Sequence, residues 1–343
     1  MVVLEALTAF GRTARRNARF AAGVFVCACA LLGSGCASLF PQTAELREGL
    51  PQGLPETVEL TAVPFFPQTE YQCGPAALAT ALAAAGLKVT PEELVSQVYL
   101  PGRQGSLQVE MMAAARRRGL VSYQLAPRFE DLLRELAAGT PVIVLQNLGL
   151  MFDGWHYAVA VGYDYDSGEL ILRSGETERQ TMRFYVHEFV WARGGYWAMV
   201  AVPPERIPVT AQEERWLGSI AALERTGAQQ AENLSRARTA YAGFVKRWPE
   251  NVSAKIGLAN THHALGDLGA AEAVLRHAAR SEPDSVIVLN NLAQTLSDQG
   301  RHEEALPIIE HAAAFAEKNG GPFAAAVRRT RQSILERIAT TRK

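Results

Sequence analysis

The chain has 343 residues, 48% hydrophobic and 20% charged, the composition of folded globular protein and not of a disordered tail. Its formal charge is −1, and about −4 once the first 35 residues, with Arg12, Arg15, Arg16, Arg19 and Glu5, are set aside. Nothing in that balance attracts nucleic acid, and the length accommodates two domains of ordinary size.

The four arginines precede an apolar run from Phe20 to Leu32, the layout of a targeting segment and, at about 13 residues, too short to cross a bilayer. The run leads into Leu32-Gly33-Ser34-Gly35-Cys36, which resembles the lipobox of bacterial lipoproteins, where a signal peptidase cuts before a lipid-bearing cysteine. The resemblance implies a signal peptide over 1–35, a lipid on Cys36, and a chain anchored at the periplasmic side of the cell envelope. The Ala37-Ser38 start, without an Asp, points by the same resemblance to the outer membrane. An ordinary secretory signal cut near Ala37 is the alternative. Residues 36–57, rich in Pro, Gly and Gln without sustained periodicity, are expected to be a tether.

The folded body is expected over 58–208. A helix is expected from Pro75 to Ala85, closed by Gly86, and another from the capping box Thr90-Pro91-Glu92-Glu93 to about Val98. Two more run from about Ser106 to Arg118 and from Phe129 to Ala138, stopping at Gly119 and Gly139. Short apolar runs follow at Pro141–Leu145, Tyr157–Gly162, Glu169–Leu172, Thr181–Tyr185 and Tyr196–Val202, read as strands of an antiparallel sheet. Helices first and a sheet second is an α+β layout, closed by Pro203, Pro204 and Pro208.

Beyond 208 the chain turns to Ala, Glu, Arg and Leu at helical spacing. Leu258, Ala259, Gly266, Ala271, Leu275 and Ala278 recur 34 residues later as Leu292, Ala293, Gly300, Ala305, Ile309 and Ala312, the period and small-residue pattern of tetratricopeptide repeats. The region 209–343 is thus expected to be an all-α solenoid, with repeats at 252–285 and 286–319, a degraded one before them and a closing helix from Pro322 to Thr340. His262, His263 and His277 fall at repeat positions and are read as packing, not as metal ligands; no cofactor is expected.

Cys27 and Cys29 lie in the segment expected to be removed, and Cys36 is expected to be acylated, leaving Cys73. By count alone that thiol fits either packing or chemistry. Its setting is Gln68-Thr-Glu-Tyr-Gln-Cys73-Gly-Pro-Ala-Ala-Leu78, where an extended segment meets a helix. Gly74 would let a substrate backbone approach the sulfur, Pro75 suits the first helical turn, and the helix N-terminus would favour thiolate. Gln68 could turn its amide toward a tetrahedral oxyanion together with the Cys73 backbone N–H. Gly154-Trp155-His156-Tyr157 places a histidine at the start of a buried strand, where it could face the thiol. The other histidine of this domain, His187, reads as a surface residue of a helix over Val186–Arg193.

These two motifs resemble the bacteriocin-processing, double-glycine-leader cysteine peptidases, and most of all their stand-alone relatives, over about Val58 to Val202. The resemblance implies a papain-like fold, Cys73 as nucleophile, His156 as general base, Gln68 in the oxyanion hole, and a peptide or protein substrate. The family's Asp, which orients the histidine, is absent: Leu172-Arg173-Ser174-Gly175 stands in its place, leaving Ser174 or Glu176 for that task. Asp164 and Asp166 read as turn residues. No Walker A sequence is present, so ATP is not expected. Tetratricopeptide grooves commonly hold peptides or proteins, so a partner or substrate is expected there. A peptide-binding domain without cleavage, a repeat scaffold, and a cysteine amidase or transferase remain the competing readings.

Overall fold

The computed structural model describes residues 39–342, apart from 69–71, 150–153, 229 and 320–321. The expected signal peptide 1–35 and the lipidation position Cys36 lie outside the described residues.

The stretch expected to be a tether is largely folded. Pro41–Glu48 forms helix α1, and Thr57–Glu59 forms strand β1. Helix α1 has no cap of its own; Glu188, far along the chain, accepts the Gln42 and Thr43 amides at 2.9 and 2.6 Å. Local sequence carries no signal for a helix whose orphan donors are met from a distance. Leu46 buries its side chain in the core, and its carbonyl accepts the Tyr165 hydroxyl.

Three helices follow: α2 (Cys73–Ala84), α3 (Pro91–Val98) and α4 (Gln108–Arg117), with a small hairpin of β2 (Tyr99–Leu100) and β3 (Gly105–Ser106) between the last two. Helix α2 is almost wholly Ala and Leu and is buried on nearly every side, as an all-round apolar helix must be. Then come β4 (Val121–Gln124), α5 (Phe129–Ala137), β5 (Val142–Asn147), β6 (Trp155–Asp164), β7 (Glu169–Ser174), β8 (Thr177–Arg183), α6 (Phe184–Arg193) and β9 (Ala198–Val202).

The sheet is antiparallel throughout, in the order β4-β9-β5-β6-β7-β8, with β1 extending the β5 edge of β6. Strand alternation sorts its two faces. Leu145, Tyr157, Val159, Val161 and Met199 pack beneath α2, α3 and α4. Val144, Ala158, Ala160, Leu172 and Val200 pack against α5 and α6. Strands β1 to β4, of two to four residues each, are too short to announce themselves, and β8 is a polar edge strand whose last expected residues, Phe184 and Tyr185, instead open α6.

Among the described residues, seven α-helices follow: α7 (Glu213–Glu224), α8 (Glu232–Arg247), α9 (Val252–Ala264), α10 (Leu268–Ser281), α11 (Val286–Asp298), α12 (His302–Asn319) and α13 (Ala324–Thr341). Asn251 and Asp267 cap α9 and α10 by accepting the Ala254 and Ala270 amides. His262 and His263 pair with Asp267 and Asp298. The helical region does not hang free of the sheet. Trp216, Ile220, Leu223, Ala240, Tyr241 and Phe244 belong to the same core as Tyr123 and Val202, and the Tyr123 and Trp216 rings meet edge to face at 5.7 Å. Buried Glu135 accepts both the backbone amide and the hydroxyl of Thr210, fixing the crossing. Among the described residues, no helix is long and apolar enough to cross a membrane.

Candidate active site

Cys73 is the first residue of α2 and is half-buried. The backbone amides of Tyr157, Gly74 and Cys73 itself lie near enough to its sulfur to favour the thiolate. The first of these comes from the sheet, and the register explains it. Leu145 gives its N–H to the carbonyl of Trp197, the residue just before β9, so at the Leu145↔Tyr157 pair the backbone groups of Tyr157 point away from β5. The β6–β7 ladder ends at Val159↔Arg173, leaving those groups without a strand partner. Cys73 takes the amide side, and the Gln68 side chain donates its Nε2 to the Tyr157 carbonyl at 3.4 Å. Gln68 is pinned by its own backbone, whose N–H donates to Gly175 at 3.0 Å.

His156 precedes Tyr157 on β6 and pairs across the ladder with Gln146. Its Nε2 lies 2.9 Å from Ser174 Oγ at the end of β7. That bond occupies one ring nitrogen and leaves Nδ1 for a thiol. Ser174 therefore stands where the resemblance calls for a carboxylate, whereas Glu176, the other candidate, is exposed and makes no bond to the ring. No hydrogen bond joins the sulfur and the imidazole; such a bond can form only once a reacting group sits between the two, so its absence does not bar proton transfer.

The electrostatics correct one expectation. A helix N-terminus by itself would lower the thiol pKa, but burial pushes Cys73 above its ordinary value, and the three amides oppose this without reversing it. Burial also holds His156 below the ordinary histidine value. The resting pair is a neutral thiol and a neutral imidazole, not an ion pair.

Gly74 also has a different reason from the one its motif suggests. A Cβ there would lie 2.2 Å from Ser106 Oγ, so the missing side chain makes room for β3 against α2. Tyr157 closes the same corner, donating its hydroxyl to the Ser106 carbonyl at 3.1 Å and meeting Trp197 edge to face. Sequence reasoning passed over Tyr157, whose backbone is the junction of the site; its place directly after the motif histidine was the available signal.

His187, expected on the surface, is fully buried. It stacks on Trp191 at 5.5 Å, its Nδ1 lies 3.2 Å from Gln146 Nε2, and burial drives its pKa down to about 3. The polar label of histidine hid a ring that packs as an aromatic. Asp164 accepts the Ser167 amide and is the turn residue its position suggested.

Taken together, the fold is that of a C39-like domain, an antiparallel sheet backed by a cysteine-bearing helix, continued into tetratricopeptide-like helices. Residues 60–194 match the Peptidase_C39 like family, and 226–285 and 287–319 match two tetratricopeptide repeat families. A comparison with curated proteins found no match. Among solved structures, the peptidase domain of Streptococcus ComA, described as a bi-functional ABC transporter involved in quorum sensing, overlaps 41% of this chain and 98% of its own, with 20% identity and a TM-score of 0.36. A Bacillus anthracis protein described as C39-like overlaps 43% of this chain and 98% of its own, at 19% identity and a TM-score of 0.36. The TPR2B domain of yeast Sti1 overlaps 35% and 97%, at 19% identity and a TM-score of 0.32. The family matches, and not these partial overlaps, support the reading that follows.

Proposed function

We propose that the protein is a cysteine peptidase of the cell envelope, held by a lipid on Cys36 at the periplasmic side of the outer membrane. Cys73 is the nucleophile, His156 the general base and then acid, Ser174 the residue that orients it, and Gln68 with the Cys73 backbone amide the oxyanion donors. The observation that carries this is the meeting of Cys73 and Gln68 on the Tyr157 peptide, one residue from an imidazole whose far nitrogen is tied to Ser174.

Because both groups rest neutral, the thiol proton passes to His156 Nδ1 as sulfur attacks the peptide carbonyl. Gln68 releases its long bond to Tyr157 and turns to the developing oxyanion. The imidazolium protonates the leaving amine, and water then hydrolyses the thioester. The repeats, which share a core with the sheet domain, recruit the peptide substrate or a protein partner. Cleavage after a double glycine is the preference that the resemblance suggests.

Labelling with a thiol-reactive peptide electrophile tests the site. The native chain should label at least about 100-fold faster than His156→Ala, the span of one general base. Equal, slow labelling of both would refute the enzyme. It would leave the second reading, a domain that grips peptides without cutting them, which the neutral thiol and the missing carboxylate favour.

A further inference from the structure

The folded helix α1 changes how far the chain can stand from a membrane. If 36–57 were a loose tether, a lipid on Cys36 would let the domain drift well clear of the bilayer. Instead α1 is fixed to the body: Glu188 holds its first amides, the Gln42 side chain accepts the Phe129 amide at 2.5 Å and donates to the Pro127 carbonyl at 3.2 Å, and Tyr165 bonds its last turn. The described chain begins at Leu39, three residues after Cys36. Three residues reach at most about 11 Å, far less than the width of a folded domain.

The surface at that point is apolar and aromatic. Leu39 is 69% exposed, Tyr185 42% and Phe189 41%, the last two on α6. The Phe40 ring bridges them, with its centroid 5.9 Å from Tyr185 and 6.3 Å from Phe189. Arg193 lies over the Phe189 ring at 5.7 Å. Aromatic rings flanked by a cation are the side chains that settle at the boundary between lipid headgroups and acyl chains.

We infer that Leu39, Phe40, Tyr185 and Phe189 form a membrane-docking face that lies on the bilayer interface and fixes the orientation of the whole chain. The inference rests on the lipid anchor at Cys36 but not on peptidase activity. Helix α6 lies on the opposite sheet face from α2, so docking keeps the Cys73 helix on the side away from lipid. The bilayer is the occupant because a leash of three residues leaves nothing else room to intervene.

Hydroxyl-radical footprinting of the full lipidated chain on vesicles of phosphatidylethanolamine and phosphatidylglycerol reads the rings directly. Phe323, 44% exposed in the repeat region, is the internal reference. Tyr185 and Phe189 should be oxidised about tenfold more slowly on vesicles than in a variant with a twenty-residue Gly/Ser insertion between Ser38 and Leu39, which keeps the anchor and frees the body. In Tyr185→Ser/Phe189→Ser, flotation with the vesicles should persist while oxidation of Phe40 rises. Flotation with both native rings as reactive as Phe323 would overturn the docking face alone. A native chain that fails to float would overturn the anchor and the face together. Protection that grows with protein density on the vesicles would assign the patch to a second copy and overturn the inference.

Discussion

Acid should loosen this protein through a histidine buried in its core. His187 is fully buried between Phe129 and Trp191, its Nε2 has no partner, and its pKa is pushed to about 3 from 6.5. A base whose folded pKa is depressed contributes stability that is complete above the unfolded value and is lost as pH falls from there toward the folded value. The window is therefore 6.5 down to about 3. At roughly 1.4 kcal/mol per unit, moving from about pH 7.5 to about pH 5 should cost about 2 kcal/mol from this residue alone. His187→Phe keeps the ring contacts and removes the titration. Urea unfolding at the two pH values should show the native chain losing about 2 kcal/mol more than the variant, all other groups cancelling. Identical pH dependence of stability in both chains would refute the claim that His187 is held neutral by burial.

The neighbouring site gives a complementary test. Ser174→Ala should slow Cys73 alkylation by about two- to tenfold, the worth of one neutral hydrogen bond, while Ser174→Asp, supplying a carboxylate to the imidazolium, should speed it at neutral pH by about tenfold. No change in either would remove Ser174 from the mechanism. Gly74→Ala should destabilise by about 1–3 kcal/mol, because its Cβ meets Ser106 Oγ, and Ser106→Gly in the same chain should recover most of that loss. Gly49→Ala, where a Cβ meets nothing within 4 Å, serves as the neutral control in the same melting series. Trp216→Ala should cost about 3–5 kcal/mol and lower the unfolding midpoint of sheet and repeats together. Repeats that melt at an unchanged midpoint would show that the core they share with Tyr123 does not couple them.

Much was legible along the chain because its causes are local. Pro91 at the first turn of its helix, the glycines closing three helices, and the 34-residue recurrence from Leu258 to Leu292 each act within a few turns of their own helix, and those elements stand within a few residues of where the sequence puts them, although Thr90 makes no side-chain cap bond. Cys73 at a helix start and His156 at a strand start were legible for the same reason.

What only the tertiary structure decided was set by groups far apart in sequence. Pro41–Glu48 is a helix because Glu188 caps it, and His187 is an aromatic packing residue because Phe129 and Trp191 enclose it. Ser174 rather than Glu176 reaches the imidazole because β7 ends beside β6 there. The thiol rests neutral because burial outweighs the helix amides. Periodicity and motif fix what a segment can become; the dielectric, the remote caps and the shared core exist only once distant segments have excluded water from one another.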